Sequence, residues 1–345
     1  MTESLSPTSL VLPLPVEAWV ERRDNDILIH WTPDEPLLDV YAGTAPDAIG
    51  GEPLPVTIDA AGKQAAIAAL PGASRVFYAL DFGHRRLVTA ERTLHLSGGV
   101  NFRDVGGYRT ADGRAVRWGQ IYRAGSLAEL SDDDLAALGV LGLRLVCDLR
   151  SADELARQAD RLPPGASHTH QPIAGEVGRL RRVVALYRKR HRLQELLEQI
   201  YRLMLDQNGP VFAGVLRLAA DPANRPLVIH CTAGKDRTGL AVALLLLALG
   251  VPEETVVADY TLSNHAFAVL AGRMRPEMAR LYSFGFNEAQ LRPLLLAEAR
   301  TLRNALADLR RRYGSLDWYF QRAGLGDDTL DALRAELLTG QWVSQ

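Results

Sequence analysis

Short apolar runs separated by turn residues characterise the first hundred positions of the chain. Proline, glycine and aspartate interrupt these runs, which are ILIHW (27–31), LLDVYAG (37–43), PVTIDA (55–60), RVFYAL (75–80) and RLVTAERTLHL (86–96). Strands of this length with turn residues between them are typical of an all-β sandwich. The pattern therefore predicts a small all-β, sandwich-like domain over residues 10–96.

Beyond residue 97 the apolar pattern alternates between strands and helices. LRLVCDLR (143–150) and the run Leu227, Val228, Ile229 are suited to buried strands, and a long apolar helix begins near Arg237. Strands that alternate with helices predict an α/β fold with a central, mainly parallel sheet flanked by helices. We expect this second domain to span residues 97–345, with a mainly α-helical C-terminal half.

A strand, a tight loop and a helix N-terminus follow one another in PLVIHCTAGKDRTGL (226–240). The amides of such a loop and the helix dipole form a concave site for an anion. Cys231 stands at the base of this loop and Arg237 at its rim. Helix N-termini and nearby cations favour the nucleophilic thiolate, and the arginine fork can hold two oxygens of a phosphate. This arrangement predicts phosphoryl transfer through a cysteinyl-phosphate.

The decapeptide HCTAGKDRTG (230–239) resembles the H-C-x5-R-[ST] signature of cysteine-dependent phosphatases. Its Lys-Asp pair resembles the bacterial tyrosine phosphatases that also accept phosphoserine, phosphothreonine and phosphoinositides. Five further blocks match in family order: NFRDVGGY (101–108), YRAGSL (122–127), CDLRS (147–151), ADYTLSN (258–264) and YGSLDWYFQRAGL (313–325). In the N-terminal region, Trp31 weakly resembles the core tryptophan of a fibronectin type III strand.

The resemblance implies the cysteine-phosphatase fold and a protein-tyrosine phosphatase with dual specificity. The alternative is a phosphoinositide or inositol-phosphate phosphatase with the same chemistry. A more remote alternative is a phosphate-binding module without catalysis. In each case the partner is a phosphorylated protein or a phosphoinositide.

The signature assigns roles to the residues around the loop. Cys231 is expected to be the nucleophile, Arg237 to bind the equatorial phosphate oxygens, and Thr238 to donate its hydroxyl to the Cys231 sulfur. Lys235 is expected to place a second cation over the anion, which suits ligands with several phosphates. The amides of residues 232–237 complete the cradle, among them those of Thr232, Ala233 and Gly234. The residues expected to support the loop are His230, Asn101, Arg103, Asp104 and Arg150, whereas Cys147 is expected to pack in the core.

The general acid has two candidates. Trp-Pro-Asp, which often carries the acid in this superclass, does not occur in the chain, and the corresponding loop HTHQPIAGEV (168–177) offers only Glu176. Asp236 lies inside the signature, where the resemblance implies a proton donor. Asp236 is therefore the first choice and Glu176 the second. The plainer reading of Asp236 is an acidic residue that complements the helix dipole.

A basic amphipathic stretch over residues 178–205 separates the CDLRS strand from the signature loop. Its cations are Arg179, Arg181, Arg182, Arg188, Lys189, Arg190 and Arg192. We expect a helical lid insertion at about residues 176–206 that attracts phosphorylated substrates, with a solvated helix face as the plainer alternative. Contact with an anionic membrane is the less favoured reading of the same charges.

Composition adds few constraints. The 345 residues are 47% hydrophobic and 23% charged, and a net charge of -2 gives no bias toward nucleic acid. No signal peptide or membrane span is recognisable, and two cysteines cannot form a disulfide scaffold, so we expect a cytoplasmic protein, with signal-less export left open. No histidine or carboxylate cluster accompanies the loop, so neither metal nor cofactor is expected. Oligomeric state is not predicted.

Overall fold

The computed structural model describes residues 7–23, 26–68, 75–173 and 192–339. Seven of the strands in this part of the chain precede residue 91: β1 (Ala18–Arg23), β2 (Asp26–Trp31), β3 (Asp39–Gly43), β4 (Thr57–Asp59), β5 (Gln64–Ala68), β6 (Phe77–Asp81) and β7 (Arg86–Ala90). They form two antiparallel sheets with the orders β1-β2-β5-β4 and β3-β6-β7. The strand runs predicted from the sequence are present, and β1 and β5 are additional.

One apolar core joins these two sheets. Ile29 and Trp31 of β2 belong to the same buried cluster as Val40 of β3 and Leu80 of β6. Alternate residues of β2 are buried, because successive side chains of a strand point to opposite faces. The sheets therefore pack face to face. The domain boundary at residue 96 and the fibronectin resemblance remain predictions.

A five-stranded sheet forms the centre of the remaining chain. Its strands are β8 (Arg103–Asp104), β9 (Ile121–Ala124), β10 (Leu145–Asp148), β11 (Ser167–His170) and β12 (Leu227–His230), in the order β11-β10-β12-β9-β8. Strands β9 to β12 are parallel, and only β8 runs antiparallel to its neighbour. The predicted mixed α/β class with a mainly parallel sheet is therefore confirmed. All four residues of β12, the central strand, are buried.

Helices surround this sheet and form the C-terminal half, as predicted. They are α1 (Asp132–Val140), α2 (Ala152–Arg157), α3 (Leu193–Gln207), α4 (Gly209–Ala220), α5 (Asp236–Ala248), α6 (Glu253–Thr261), α7 (Phe267–Arg273), α8 (Arg275–Ser283), α9 (Glu288–Leu295), α10 (Ala299–Tyr313), α11 (Leu316–Arg322) and α12 (Asp327–Leu337). Helix α5 is buried along almost its whole length, which explains its continuous apolar sequence. No helix in the described ranges is long and apolar enough to cross a membrane.

The predicted lid falls partly outside the described residues. Positions 174–191, which include Glu176 and most of the basic cluster, are not described. Helix α3 corresponds to the second half of the predicted helix, and Arg192 precedes it. One face of α3 is buried: Leu193 and Leu196 pack with Met278 and Leu291 from α8 and α9. This part of the stretch therefore packs against the fold along one face, and the lid and the solvated basic face remain predictions.

Asp104 lies at the junction between the N-terminal sheets and the central sheet, not beside the signature loop. Its Oδ2 accepts hydrogen bonds from Arg75 Nη2 at 2.6 Å and from the Gly119 amide at 2.7 Å. Arg75 Nη1 also donates to the Tyr122 hydroxyl at 2.7 Å. The expectation that Asp104 supports the loop is wrong, because its carboxylate binds Arg75 and the Gly119 amide instead. A cavity of about 640 Å³ opens at this junction, with Trp118 among its lining residues.

Candidate active site

Strand β12 delivers Cys231 to the base of a loop that ends at the first turn of α5. The Cys231 side chain is almost fully buried, with 2% exposure. Within the described residues, the amides of positions 232–235 donate no hydrogen bond to the protein. Amides of a loop that leads into a helix N-terminus are suited to binding an anion, and these donors are therefore available for one.

The carbonyl groups of the loop are held by residues behind it. Asn101 Nδ2 donates to the Ala233 oxygen at 3.3 Å and to the Gly234 oxygen at 3.0 Å, and Arg123 Nη2 donates to the Gly234 oxygen at 2.9 Å. The Ser126 amide donates to the Thr232 oxygen at 2.9 Å. Anchoring the carbonyls on one side turns the amides toward the other. The structure thus places Asn101 where the sequence predicted support for the loop.

Gly234 has a conformation and surroundings that exclude a side chain. Its φ is +67°, in the left-handed region. A Cβ atom there would lie 2.5 Å from the backbone carbonyl of Ala124 at the end of β9. The loop can therefore lie directly on the sheet only with glycine at this position.

Behind the loop, a buried carboxylate joins two arginines. Asp259 of α6 accepts hydrogen bonds from Arg103 Nε at 3.2 Å and Arg123 Nη1 at 2.6 Å, and Arg103 also donates to Asn101 Oδ1. Burial pushes the pKa of Asp259 upward, but the charges of Arg103 and Arg123 outweigh it and hold the pKa below its usual range. Arg103 therefore reaches the loop through Asn101, as a supporting residue. The ADYTLSN block resembles the family, but its residues alone gave no indication of the role of Asp259.

Arg237 is held by a carboxylate that sequence analysis missed. Its Nη1 donates to Glu154 Oε2 at 2.6 Å and its Nη2 to Glu154 Oε1 at 2.8 Å, while Thr232 Oγ1 donates to the same Oε1 at 2.5 Å. Burial raises the pKa of Glu154, but the hydrogen bonds and charge of Arg237 prevail and lower it below its usual range. The available signal was the spacing of Ser151 and Glu154, which form a capping box at the start of α2.

Asp236 lies at the first position of α5, with its side chain 33% exposed. The Tyr201 hydroxyl donates to Asp236 Oδ1 at 2.6 Å, and Lys235 Nζ is 3.2 Å from the same oxygen. Asp236 is thus an accessible carboxyl beside the loop, as a proton donor must be, and it has specific partners that a residue serving only the helix dipole would not need.

Lys235 does not face the anion site as the sequence suggested. Its side chain is 3% exposed, and Nζ donates to the carbonyl oxygens of Leu294 at 2.9 Å and Leu296 at 3.2 Å. These carbonyls lie at the C-terminal end of α9, where the helix dipole attracts a cation. The expectation of a second cation above the phosphate is therefore wrong.

Thr238 also differs from its expected role. The residue is fully buried in the first turn of α5, and its hydroxyl oxygen has no hydrogen-bond partner among the described residues. The expected bond to the Cys231 sulfur is accordingly not formed.

Arg150 organises a second polar cluster next to β12. Its Nη2 donates to Asp148 Oδ2 at 2.8 Å and Asp160 Oδ2 at 2.6 Å, and His230 Nε2 lies 3.2 Å from that Asp160 oxygen. His230 Nδ1 is 3.4 Å from the Cys231 carbonyl oxygen, which fits a loop-shaping role. Asp148, Asp160 and His230 are close enough together to hold a metal ion, but the Arg150 guanidinium already supplies positive charge to both carboxylates.

Cys147 lies in β10, opposite Ile229 of β12, and is fully buried in the main apolar cluster. Burial raises the pKa of its thiol to about 12. The prediction that Cys147 packs in the core is confirmed. Of the two cysteines, Cys231 alone stands beneath a loop with available amides and a facing arginine, which is the arrangement of a thiol-based, anion-binding catalytic site.

Comparison with known proteins identifies the family. The tyrosine phosphatase family matches residues 94–339 of this chain. A protein named as a tyrosine-protein phosphatase of Cupriavidus necator is 34% identical over 227 residues, covering 65% of this chain and 81% of that protein. The triple specificity protein phosphatase PtpB of Mycobacterium tuberculosis is 32% identical over 281 residues, covering 70% of this chain and 98% of PtpB. The chain belongs to the tyrosine phosphatase family and is a phosphoric monoester hydrolase.

Proposed function

We propose that this chain dephosphorylates phosphotyrosine in proteins, with activity toward phosphoserine and phosphothreonine as well. The observation that carries the proposal is the buried Cys231 thiol under available loop amides, with Arg237 at the rim. The similarity to PtpB, whose name describes triple specificity, supports the wider substrate range. We infer further that residues 97–345 adopt the cysteine-phosphatase fold, that residues 10–96 form a sandwich-like domain, and that a reducing compartment such as the cytoplasm suits the thiol.

The reaction has two steps. The Cys231 thiolate attacks phosphorus, the ester bond breaks, and the leaving oxygen takes the proton of Asp236. Arg237 and the loop amides hold the three equatorial oxygens while their charge redistributes. Water then attacks the cysteinyl-phosphate with Asp236 as base, which releases inorganic phosphate and restores the thiolate.

A phosphoinositide phosphatase with the same chemistry is the alternative. Lys235 was the residue that favoured ligands with several phosphates, and its ammonium group is engaged by Leu294 and Leu296 instead. The basic segment of residues 178–190 still favours polyanionic substrates, but it lies outside the described residues. The placement of Lys235 therefore favours phosphoproteins over phosphoinositides as substrates.

An initial-rate panel of phosphopeptides and phosphoinositides, run with and without a chelator, tests the proposal. We expect higher kcat/KM for phosphotyrosine peptides, no effect of the chelator, and no turnover by Cys231→Ser, which should still bind substrate. Appreciable turnover by Cys231→Ser, or activity that a divalent metal restores after chelation, would rule out the cysteinyl-phosphate route. Higher kcat/KM for phosphoinositides would establish the alternative.

The assignment of the acid has its own test. Asp236→Asn should slow alkyl and phenyl phosphates strongly and p-nitrophenyl phosphate little, because a stable leaving group needs no proton. A general acid contributes roughly 10²–10⁴-fold in rate. Glu176→Gln is the control, and a leaving-group-dependent loss in that variant with Asp236→Asn unaffected would move the acid to Glu176.

A further inference from the structure

Two tyrosines form a chain of hydrogen bonds that ends on Asp236. The Tyr201 hydroxyl of α3 lies 2.6 Å from Asp236 Oδ1, and the Tyr260 hydroxyl of α6 lies 2.7 Å from the Tyr201 hydroxyl. A phenol has one proton to donate. Because Tyr201 gives its proton to Asp236, Tyr260 must donate to Tyr201. The chain therefore runs in one direction, from Tyr260 through Tyr201 to the carboxyl.

One hydrogen-bond donor and one cation lie near the same oxygen of Asp236. Tyr201 and the Lys235 ammonium approach Oδ1, whereas Oδ2 has no hydrogen-bond partner in the described part of the chain. A neutral carboxyl carries its proton on one oxygen, and an oxygen that already accepts a hydrogen bond from Tyr201 and faces the Lys235 ammonium is the unfavourable choice. The proton of the acid consequently belongs on Oδ2, where it can be donated.

We propose that Tyr201 is the positioning residue of the general acid: it fixes the carboxyl rotation of Asp236 and directs the transferable proton to Oδ2. The inference rests on the proposed role of Asp236 as the acid. It assigns Tyr201 no contact with the substrate.

The surroundings of Tyr201 are suited to this role. The side chain is fully buried, and burial together with the Asp236 charge raises the pKa of Tyr201 well above its ordinary value, so it remains a neutral donor. Its ring meets the Tyr260 ring edge to face, with centroids 6.4 Å apart. A Cβ on Gly239, one turn into α5, would lie 2.9 Å from the Tyr260 ring, so the glycine of the signature lets the tyrosine pair lie against α5.

Tyr201→Phe keeps the ring and removes the donor, so it tests the inference directly. We expect kcat/KM for phenyl phosphate to fall about tenfold or more, a part of the roughly 10²–10⁴-fold that a general acid contributes. With p-nitrophenyl phosphate the change should stay within about twofold, because little protonation is needed. In the Asp236→Asn background, Tyr201→Phe should add no further leaving-group dependence, since it acts through that carboxyl.

Tyr319→Phe is the matched control. The Tyr319 hydroxyl donates to the Leu205 carbonyl of the same helix α3 at 2.9 Å, and its ring is equally buried, but it does not touch Asp236. Loss of the Tyr319 hydroxyl should lower the thermal stability of the protein. It should leave the ratio of kcat/KM for phenyl phosphate to that for p-nitrophenyl phosphate unchanged.

The outcomes separate the two proposals. If Asp236→Asn shows the leaving-group effect and Tyr201→Phe does not, the positioning role is refuted and the acid assignment stands. If Tyr201→Phe slows both substrates equally, and does so again in the Asp236→Asn background, Tyr201 is only structural. If Asp236→Asn behaves like the parent enzyme, both the assignment of Asp236 as the acid and the positioning role of Tyr201 are refuted.

Discussion

Arg237 and Glu154 form a bidentate pair, with Nη1 to Oε2 at 2.6 Å and Nη2 to Oε1 at 2.8 Å. Both side chains are largely buried, with exposures of 17% and 18%. Glu154 is itself fixed, because its Oε2 accepts the Ser151 amide at 2.8 Å in the capping box of α2. The guanidinium is thus oriented before any substrate arrives, and such preorganisation is the main value of a pair of this kind.

Glu154→Gln should impair catalysis without disrupting α2. Glutamine has the same shape and can still close a capping box, but it removes the charge that holds Arg237. We expect kcat/KM to fall by about 10²-fold, the loss associated with a catalytic group displaced by about 1 Å. The loss should be equal for good and poor leaving groups, because Arg237 binds the phosphoryl oxygens and not the leaving group.

A comparable pair far from the site supplies the control. Arg22 donates to Glu91 at 2.7 Å and 3.1 Å in the N-terminal sheets. Glu91→Gln should leave kcat/KM unchanged. Parent-like kinetics of Glu154→Gln would show that Arg237 needs no carboxylate to hold it.

Alkylation should distinguish the two cysteines. Since the pKa of Cys147 is raised to about 12, its thiol remains protonated at pH 8, and its side chain has no exposure. Iodoacetamide should modify Cys231 alone in the folded protein, and inorganic phosphate should slow the reaction by occupying the loop. Mass spectrometry of tryptic peptides measures both sites. Equal modification of Cys147 in the native state would contradict this assignment, and denatured protein, in which both react, is the control.

Local sequence patterns predicted the elements whose determinants are local. Cys231 and Arg237 are six positions apart across one strand–loop–helix unit, so their spacing alone places both beside the same anion site. The strands β1 and β5 were missed because their determinants are not local. The last three residues of AWVERR are charged and QAAIA consists mostly of small residues, and both are strands because they pair with β2.

The partners of the site residues were harder to predict, because they come from distant parts of the chain. Glu154 meets Arg237 across 83 positions, and Tyr201 meets Asp236 across 35. The error over Lys235 has a similar cause. Its position in the signature suggests an ammonium over the phosphate, but the packing of α9 beside the loop offers buried carbonyls that bind it instead.

Asp259→Asn should destabilise the fold strongly. The substitution leaves Arg103 and Arg123 buried beside a neutral amide, and removal of one partner from a buried ion pair costs about 3–5 kcal/mol. Because the pKa of Asp259 is depressed, its contribution is complete above the unfolded-state pKa of about 3.9 and is lost as the pH falls further. Urea unfolding should thus show a free energy of unfolding well below that of the parent protein at pH 7. This difference should narrow only below about pH 4.

Asp331→Asn is the control for that measurement. Asp331 is 77% exposed and pairs with Arg334 at 3.5 Å. Its loss should change the free energy of unfolding by less than about 1 kcal/mol, as for other surface pairs. Similar stabilities of Asp259→Asn and the parent protein would mean that the buried network does not hold the loop support together.

Lys235→Met should lower activity without changing substrate preference. The Lys235 ammonium binds the Leu294 and Leu296 carbonyls and lies 3.2 Å from Asp236 Oδ1, so its removal disturbs α9 and the acid together. We expect parallel losses of kcat/KM for a phosphotyrosine peptide and a phosphoinositide bisphosphate, and a lower free energy of unfolding. Lys63→Met makes the same charge change in the N-terminal sheets, where Nζ pairs with Asp34 at 3.2 Å, and should alter neither substrate. A selective loss for the phosphoinositide that disappears at high salt would instead mean that Lys235 turns toward polyphosphorylated ligands when they bind. Only a cation that faces the ligand discriminates by substrate charge, and salt screens that attraction.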